Sequence, residues 1–254
     1  MKKRFGQHFL SDKSILRKIV AFANIAPTHT VVEIGPGAGA LTRELAAIAH
    51  RVIGIEIDRD LIPPLRSGMP PNVEIVEADA LDVDFAKLAS EPFHLVGNLP
   101  YNVATPLFKR FIAARFQILD VTVMIQKEVA QRIAAKPGSG EYGPLSVLVQ
   151  YYADAKLGFT VPPGAFRPRP KVDSSVIRLD WRPGVANATG FTDFVHRAFS
   201  SRRKTLANNL AAMFPSIPRE KIIEGLGASD IRPHARPEEL SIPDFQRVYN
   251  HFGY

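Results

Sequence analysis

The sequence predicts an α/β protein, an open and mostly parallel sheet followed by a small all-helical domain. Three observations carry that prediction. Short β-branched runs alternate with helically spaced stretches at an even pitch over the first two thirds of the chain. Near Arg182 the character changes to a Pro/Gly/Ala/Asn linker, and only helical spacing follows. Hydrophobic residues make up 46% of 254 positions, enough for a sizeable core.

The strands are read in order from their apolar runs. Val31–Ile34 is closed by glycines and followed by helical spacing through Leu41–Leu45. Arg51–Ile55 and Val73–Val76 are the second and third runs. Phe93–Gly97 is the fourth, with a helix over Pro106–Arg115, and Asp120–Gln126 is the fifth, with a helix over Lys127–Ala135. Leu145–Tyr152 and Ser174–Leu179 are read as later runs that complete the sheet. Beyond the linker, helices are expected over 191–199, 202–214, 219–226 and 244–252, separated by prolines. Two domains follow, 1–182 and 183–254.

Charge divides the chain differently. Glu33 to Glu91 holds eleven acidic against five basic residues, so the remainder carries +13 of a net +7. A basic surface of that size suits a polyanion such as nucleic acid, although many basic proteins bind none. There are no cysteines, which excludes disulfides and thiolate metal ligands. No run reaches the roughly 18 apolar residues of a membrane span, and no apolar segment follows the basic N-terminus. The expectation is therefore cytoplasmic, with no membrane partner. The seven histidines show no metal-ligand spacing, so no metal is expected.

Candidate chemistry collects at strand ends. Gly35, Gly37 and Gly39 alternate between the first strand and the helix after it, and would let a ligand approach the backbone. The spacing differs from the G-x-G-x-x-G of nicotinamide sites. Glu56 ends the second strand, 21 residues beyond Gly35, where an acid can accept both hydroxyls of a ribose. Asp79 follows the third strand and could accept from an adenine amine. Either carboxylate alone also suits a solvated strand end. Asn98-Leu99-Pro100-Tyr101 follows the fourth strand and resembles the target-amine motif of amino-methyltransferases, with leucine in the second place as in those that act on rRNA adenines, which implies the following chemistry. An adenine N6 amine is a poor nucleophile because its lone pair is delocalised. Acceptors on its two hydrogens, the Asn98 side-chain oxygen and the carbonyl of Leu99 or Pro100, favour a pyramidal and reactive nitrogen. Tyr101 would stack on the base.

These four residues resemble the [DNS]-P-P-[YF] motif of amino-methyltransferases. With Lys3–Leu10 (KRFGQHFL), Asn98–Thr105 (NLPYNVAT), Phe166–Ser174 (FRPRPKVDS) and Ser200–Leu210 (SSRRKTLANNL), nearly the whole chain is similar to the KsgA-type family of ribosomal RNA adenine N6,N6-dimethyltransferases. The resemblance implies a Rossmann-like class I methyltransferase sheet and S-adenosylmethionine as cofactor. It implies cofactor contacts from His8, Leu10, Gly35, Gly37, Glu56, Asp79 and Asn98, with His8 standing where many relatives have Asn. It also implies that Phe166 faces Tyr101 across the target base. The implied activity is dimethylation of two adjacent adenosines near the 3′ end of 16S rRNA, within the small (30S) subunit and with a role in ribosome biogenesis. A related enzyme acting on 23S rRNA or DNA, and an assembly factor that works mainly by binding, are the alternatives; the Asp173-Ser174 ending and the helical tail favour the small-subunit type. Arg202, Arg203 and Lys204 lie in a stretch free of acids from Asp193 to Glu220 and are the candidate RNA-binding cluster on the expected helix 202–214. The domains are accordingly read as catalytic, 1–182, and RNA-binding, 183–254. The unbroken basic surface suggests a monomer.

Overall fold

The computed structural model describes residues 8–101, 103–185, 189–201 and 203–253. In chain order the elements are β1 (Phe9–Leu10), α1 (Lys13–Ala23), β2 (Thr30–Ile34), α2 (Ala40–Ala46), β3 (Arg51–Glu56), α3 (Ile62–Gly68), β4 (Val73–Glu77), β5 (Phe93–Asn98), α4 (Ala104–Ala113), β6 (Ile118–Gln126), α5 (Lys127–Ile133), α6 (Pro144–Tyr152), β7 (Ala153–Val161), β8 (Phe166–Arg167), β9 (Ser174–Trp181), α7 (Thr189–Ala198), α8 (Leu206–Met213), α9 (Arg219–Ala228) and α10 (Ile242–Phe252).

Seven strands form one sheet in the order β4-β3-β2-β5-β6-β9-β7. The pairs from β4 through β6 are all parallel, and β9 pairs antiparallel with β6. This is the open, mostly parallel Rossmann-like sheet that the sequence predicts. The central strands read as continuous β-branched runs because both faces are covered, and Val31, Val32, Val52, Leu95, Val96, Val121 and Val123 are fully buried. The chain reverses direction across the sheet between β2 and β5, so the loops after these two strands meet at a topological switch point. Ligands of open α/β sheets bind there.

The opposite end of the strands is closed by ion pairs. Asp120 accepts from His94 Nδ1 at 2.7 Å and from Arg178 at 2.8 Å, and Asp180 accepts from Arg178 and Lys156, both at 2.8 Å. These bonds join β5, β6, β9 and β7.

Two compact units divide the chain, 1–130 with 154–181, and 131–153 with 182–254. The helical unit therefore contains a segment that the sequence placed in the α/β part. Ala135, Tyr142 and Val147 share a core with Phe191, Phe194, Phe199, Leu210, Leu226 and Phe245. Leu145–Tyr152, expected as a strand, is the helix α6. Pro144 sits in its first turn, and the Ser146 hydroxyl accepts from the Gly143 N–H at 3.0 Å. Its apolar run is continuous because nearly every side is buried, a pattern in which helix and strand look alike. The strand in that part of the chain is β7, whose Ala, Asp, Lys and Gly content hides it.

The helix expected over 202–214 begins only at Leu206. Thr205 is extended and its hydroxyl caps the Asn208 N–H at 3.4 Å. Helices α1, capped by Asp12, and α3 were not foreseen.

Candidate active site

The loop after β2 bends through three left-handed glycines, Gly35, Gly37 and Gly39, at φ +70°, +59° and +77°. At Gly37 a second constraint applies. A Cβ there would come within 2.8 Å of the Phe9 ring, so the N-terminal strand can lie on the loop only over a glycine. Phe9–Leu10 is held in place by antiparallel pairing with Phe166–Arg167. A narrow cleft results, lined by Phe9, Leu10, Pro36, Ala38, Leu41 and Asn98.

Glu56 ends β3 and is buried at the same edge. Its Oε2 accepts from the Gly37 N–H at 3.0 Å and its Oε1 from the Asp58 N–H at 2.9 Å. Each carboxylate oxygen can accept a further bond, so the group both shapes the loop and keeps acceptor capacity. Asp79, two residues past β4, is half-buried; its Oδ1 accepts from the Leu81 N–H at 2.8 Å. A third acid, Glu33, lies inside β2 and is 1% exposed. Burial pushes its carboxyl up to about 8; the nearby Thr42 hydroxyl opposes this and the Glu56 carboxylate adds to it. Glu33 is therefore mostly protonated at neutral pH.

Asn98 is the last residue of β5, adjacent to the glycine loop. Its Nδ2 donates to the His8 carbonyl at 3.0 Å. A backbone carbonyl only accepts, so this bond fixes which way the amide faces and leaves Oδ1 as the acceptor for a ligand. The Leu99 N–H donates to Met124 O at 3.0 Å and the Pro100 carbonyl accepts from the Val103 N–H at 3.2 Å, which sets the turn that carries Tyr101. The Tyr101 hydroxyl is 2.9 Å from the Ser174 hydroxyl, the first residue of β9. The His8 ring stacks on Tyr101 with centroids 5.8 Å apart, while His8 Nδ1 lies 2.8 Å from Pro168 O.

The model of the family described as "Ribosomal RNA adenine dimethylase" matches residues 1–252. The chain belongs to the ribosomal RNA adenine dimethylase family. Its relatives include the "Ribosomal RNA small subunit methyltransferase A" of Hahella chejuensis, 43% identical over 98% of this chain and 93% of that one. The protein of the same description from Lysinibacillus sphaericus is 44% identical over 97% and 89%. Among solved structures, a dimethyladenosine transferase from Plasmodium falciparum superposes with a TM-score of 0.83 at 27% identity, covering 97% and 98% of the two chains. The 23S rRNA methyltransferase ErmE gives 0.74, also at 27% identity, covering 97% and 100%.

Within this dimethylase the structure brings together His8, Leu10, Gly35, Gly37, Glu56, Asn98, Leu99 and Tyr101, with Asp79 following the next strand of the same sheet. Phe166 is placed otherwise than expected. It is fully buried among Leu10, Leu16, Leu41 and Val176, because it is the cross-strand partner of Leu10 and shares its inward face. The ring against Tyr101 is that of His8. Arg203 and Lys204 are exposed, in a turn that precedes α8. Lys3–Gln7, Asn102 and Arg202 lie outside the described residues. Sequence reasoning missed Ser174 and Phe9 as site residues. Both stood inside the quoted motifs, but only the fold, with β1 paired to β8 and β9 paired to β6, gives them partners. No helix among the described residues is long and apolar enough to cross a membrane.

Proposed function

We propose that this dimethylase uses S-adenosylmethionine to place two methyl groups on N6 of each of two adjacent adenosines near the 3′ end of 16S rRNA. It acts as a cytoplasmic monomer on the small (30S) subunit during ribosome biogenesis. The residues present fit the cofactor. Glu56 offers buried carboxylate oxygens beside glycines that carry no Cβ, which suits a ribose, and Asp79 suits an adenine amine. His8, Leu10 and Asn98 complete the cradle. When bound, the cofactor supplies a methyl group on a sulfonium, already a strong electrophile.

The observation that carries the reading is the orientation of Asn98. With Nδ2 committed to the His8 carbonyl, Oδ1 is left as the acceptor of this side chain, and it takes one N6 hydrogen of the target adenine. The carbonyl of Leu99 or Pro100, each with a lone pair to spare, takes the other. Both bonds strengthen as the nitrogen becomes tetrahedral and positive, which lowers the barrier rather than only binding the substrate. The base stacks on Tyr101, and Phe166 supports it from the core by fixing the β1–β8 pair. After transfer the nitrogen loses its proton to water, so no dedicated base is needed. The helical unit, with Arg202, Arg203 and Lys204, binds RNA phosphates.

Asn98→Ala tests this directly. Turnover at saturating substrates should fall by roughly 10²-fold, as when one transition-state acceptor or donor is removed. Cofactor affinity, measured alongside by calorimetry, should fall far less. Normal turnover in the variant would show that Asn98 does not orient the amine.

A further inference from the structure

A second cleft opens beside this site and has no place in the chemistry above. One wall is Gln126, Lys127 and Glu128, where β6 ends and α5 begins; the other is Pro163 with Lys171, Val172 and Asp173. Its volume, about 350 Å³, falls at the small end of the roughly 300–1,000 Å³ typical of ligand pockets. The floor is rigid. The Lys127 N–H donates to Asp173 O at 3.0 Å, and Gln126 pairs in register with Ser174. Ser174 holds the Tyr101 hydroxyl, so the cleft begins one residue from the anchor of the ring that stacks the target base.

We infer that this cleft is a subsite for the nucleotide that adjoins the target adenosine in the RNA strand; the inference rests on the function proposed above. The walls have the composition that single-stranded RNA recognition uses. Val172 and Pro163 give an apolar face, and Val172 is among the few large hydrophobic side chains left exposed. Lys171 and the neighbouring Arg169 are exposed with no ion-pair partner among the described residues, and are free to meet phosphates. Lys127 is only loosely held, its Nζ 3.6 Å from Asp173 Oδ2 in a half-exposed pair that an incoming phosphate can replace. Gln126 is half-buried, and its side-chain amide has no partner among the described residues. An amide facing a base edge matches adenine, accepting from N6–H and donating to N7. The subsite therefore favours an adenosine as neighbour, which fixed strand polarity supplies for only one of the two adjacent targets. It also distinguishes an unmodified neighbour from one that is already N6,N6-dimethylated, which has no N6 hydrogen to donate.

The test uses the full chain and small subunits whose rRNA carries, next to the target, adenosine, uridine or N6,N6-dimethyladenosine. For the wild type, kcat/KM should be about tenfold higher with adenosine than with either replacement, the effect of one or two polar contacts. Gln126→Ala should reduce that preference to within about twofold. Lys171→Ala should lower kcat/KM on all three alike and flatten the salt dependence of binding by about 0.7 per lost phosphate contact. A second readout does not require methyl transfer. With 8-vinyladenosine, a fluorescent adenosine that keeps both N6–H and N7, in the flanking position, fluorescence should change when wild type binds and not when Gln126→Ala binds. No neighbour preference in the wild type, or a preference and fluorescence response unchanged in Gln126→Ala, would overturn the subsite. Absence of transfer to every particle, with the fluorescence response intact, would overturn the proposed reaction and leave the subsite standing.

Discussion

Glu33 gives a prediction whose size follows from the structure. Its carboxyl is 1% exposed within β2, and its Oε2 has no hydrogen-bond partner among the described residues. Burial raises it from 4.5 to about 8. A carboxyl raised in the folded state binds its proton more tightly there than in the unfolded chain. The resulting stability is fully present below pH 4.5 and is lost as pH rises toward 8. At about 1.36 kcal/mol per pH unit, the loss between pH 5.5 and 7.5 is about 2.5 kcal/mol. Glu33→Gln removes the titration and keeps the shape. Any packing or hydrogen-bond cost of the amide is common to both pH values and cancels in the comparison. The chain has a single tryptophan, Trp181 at the end of β9, so its fluorescence reports urea unfolding of the sheet unit. The stability of Glu33→Gln relative to wild type should rise by about 2–2.5 kcal/mol from pH 5.5 to 7.5. A difference that is flat across this range would refute the buried, protonated state.

Three further predictions concern other parts of the molecule. Glu56→Ala should weaken S-adenosylmethionine binding by about 1.5–3 kcal/mol in calorimetry, the contribution of a charge-assisted bond, while RNA affinity stays level; unchanged cofactor affinity would remove Glu56 from the ribose site. Tyr101→Phe keeps the ring but loses the bond to Ser174, so it should retain much of the methyl-transfer rate while Tyr101→Ala does not; equal damage would make the hydroxyl the important group. His29, held below the usual histidine value first by burial and then by the neighbouring His94, should titrate below 6.5 by NMR. The stability it contributes in the neutral form is present above 6.5 and is lost as pH falls below 6.5 through the lowered folded value, and a titration midpoint above 6.5 would contradict the packing.

Much of the sheet was legible because its central strands are buried on both faces and therefore read as unbroken Val/Ile/Leu runs bounded by Gly, Asn or Asp. The glycine loop, Glu56 and Asn98–Tyr101 were legible for a related reason. Each sits at a strand end, where residue types are dictated by close approach and hydrogen bonding rather than by volume. What failed was read from local pattern where tertiary context decides. Leu145–Tyr152 is apolar on every side because it is enveloped as a helix, and β7 is too polar to announce itself. Strands β1 and β8 are two residues each, and their partner lies more than 150 positions away. The basic cluster was drawn onto a helix because no sequence rule gave Thr205 priority as the cap. Phe166 was assigned by its motif to the target base, whereas its register opposite Leu10 turns it into the core.

The central claim is best tested by the product. Small subunits from cells that lack the modification should be incubated with this protein and S-adenosylmethionine, and the rRNA digested and analysed by mass spectrometry. N6,N6-dimethyladenosine should appear at two adjacent positions near the 3′ end of 16S rRNA, and should form roughly 10²-fold more slowly with Asn98→Ala. No methylation, methyl groups only at other positions of 16S rRNA, or an initial rate with Asn98→Ala equal to that of the wild type would contradict the account.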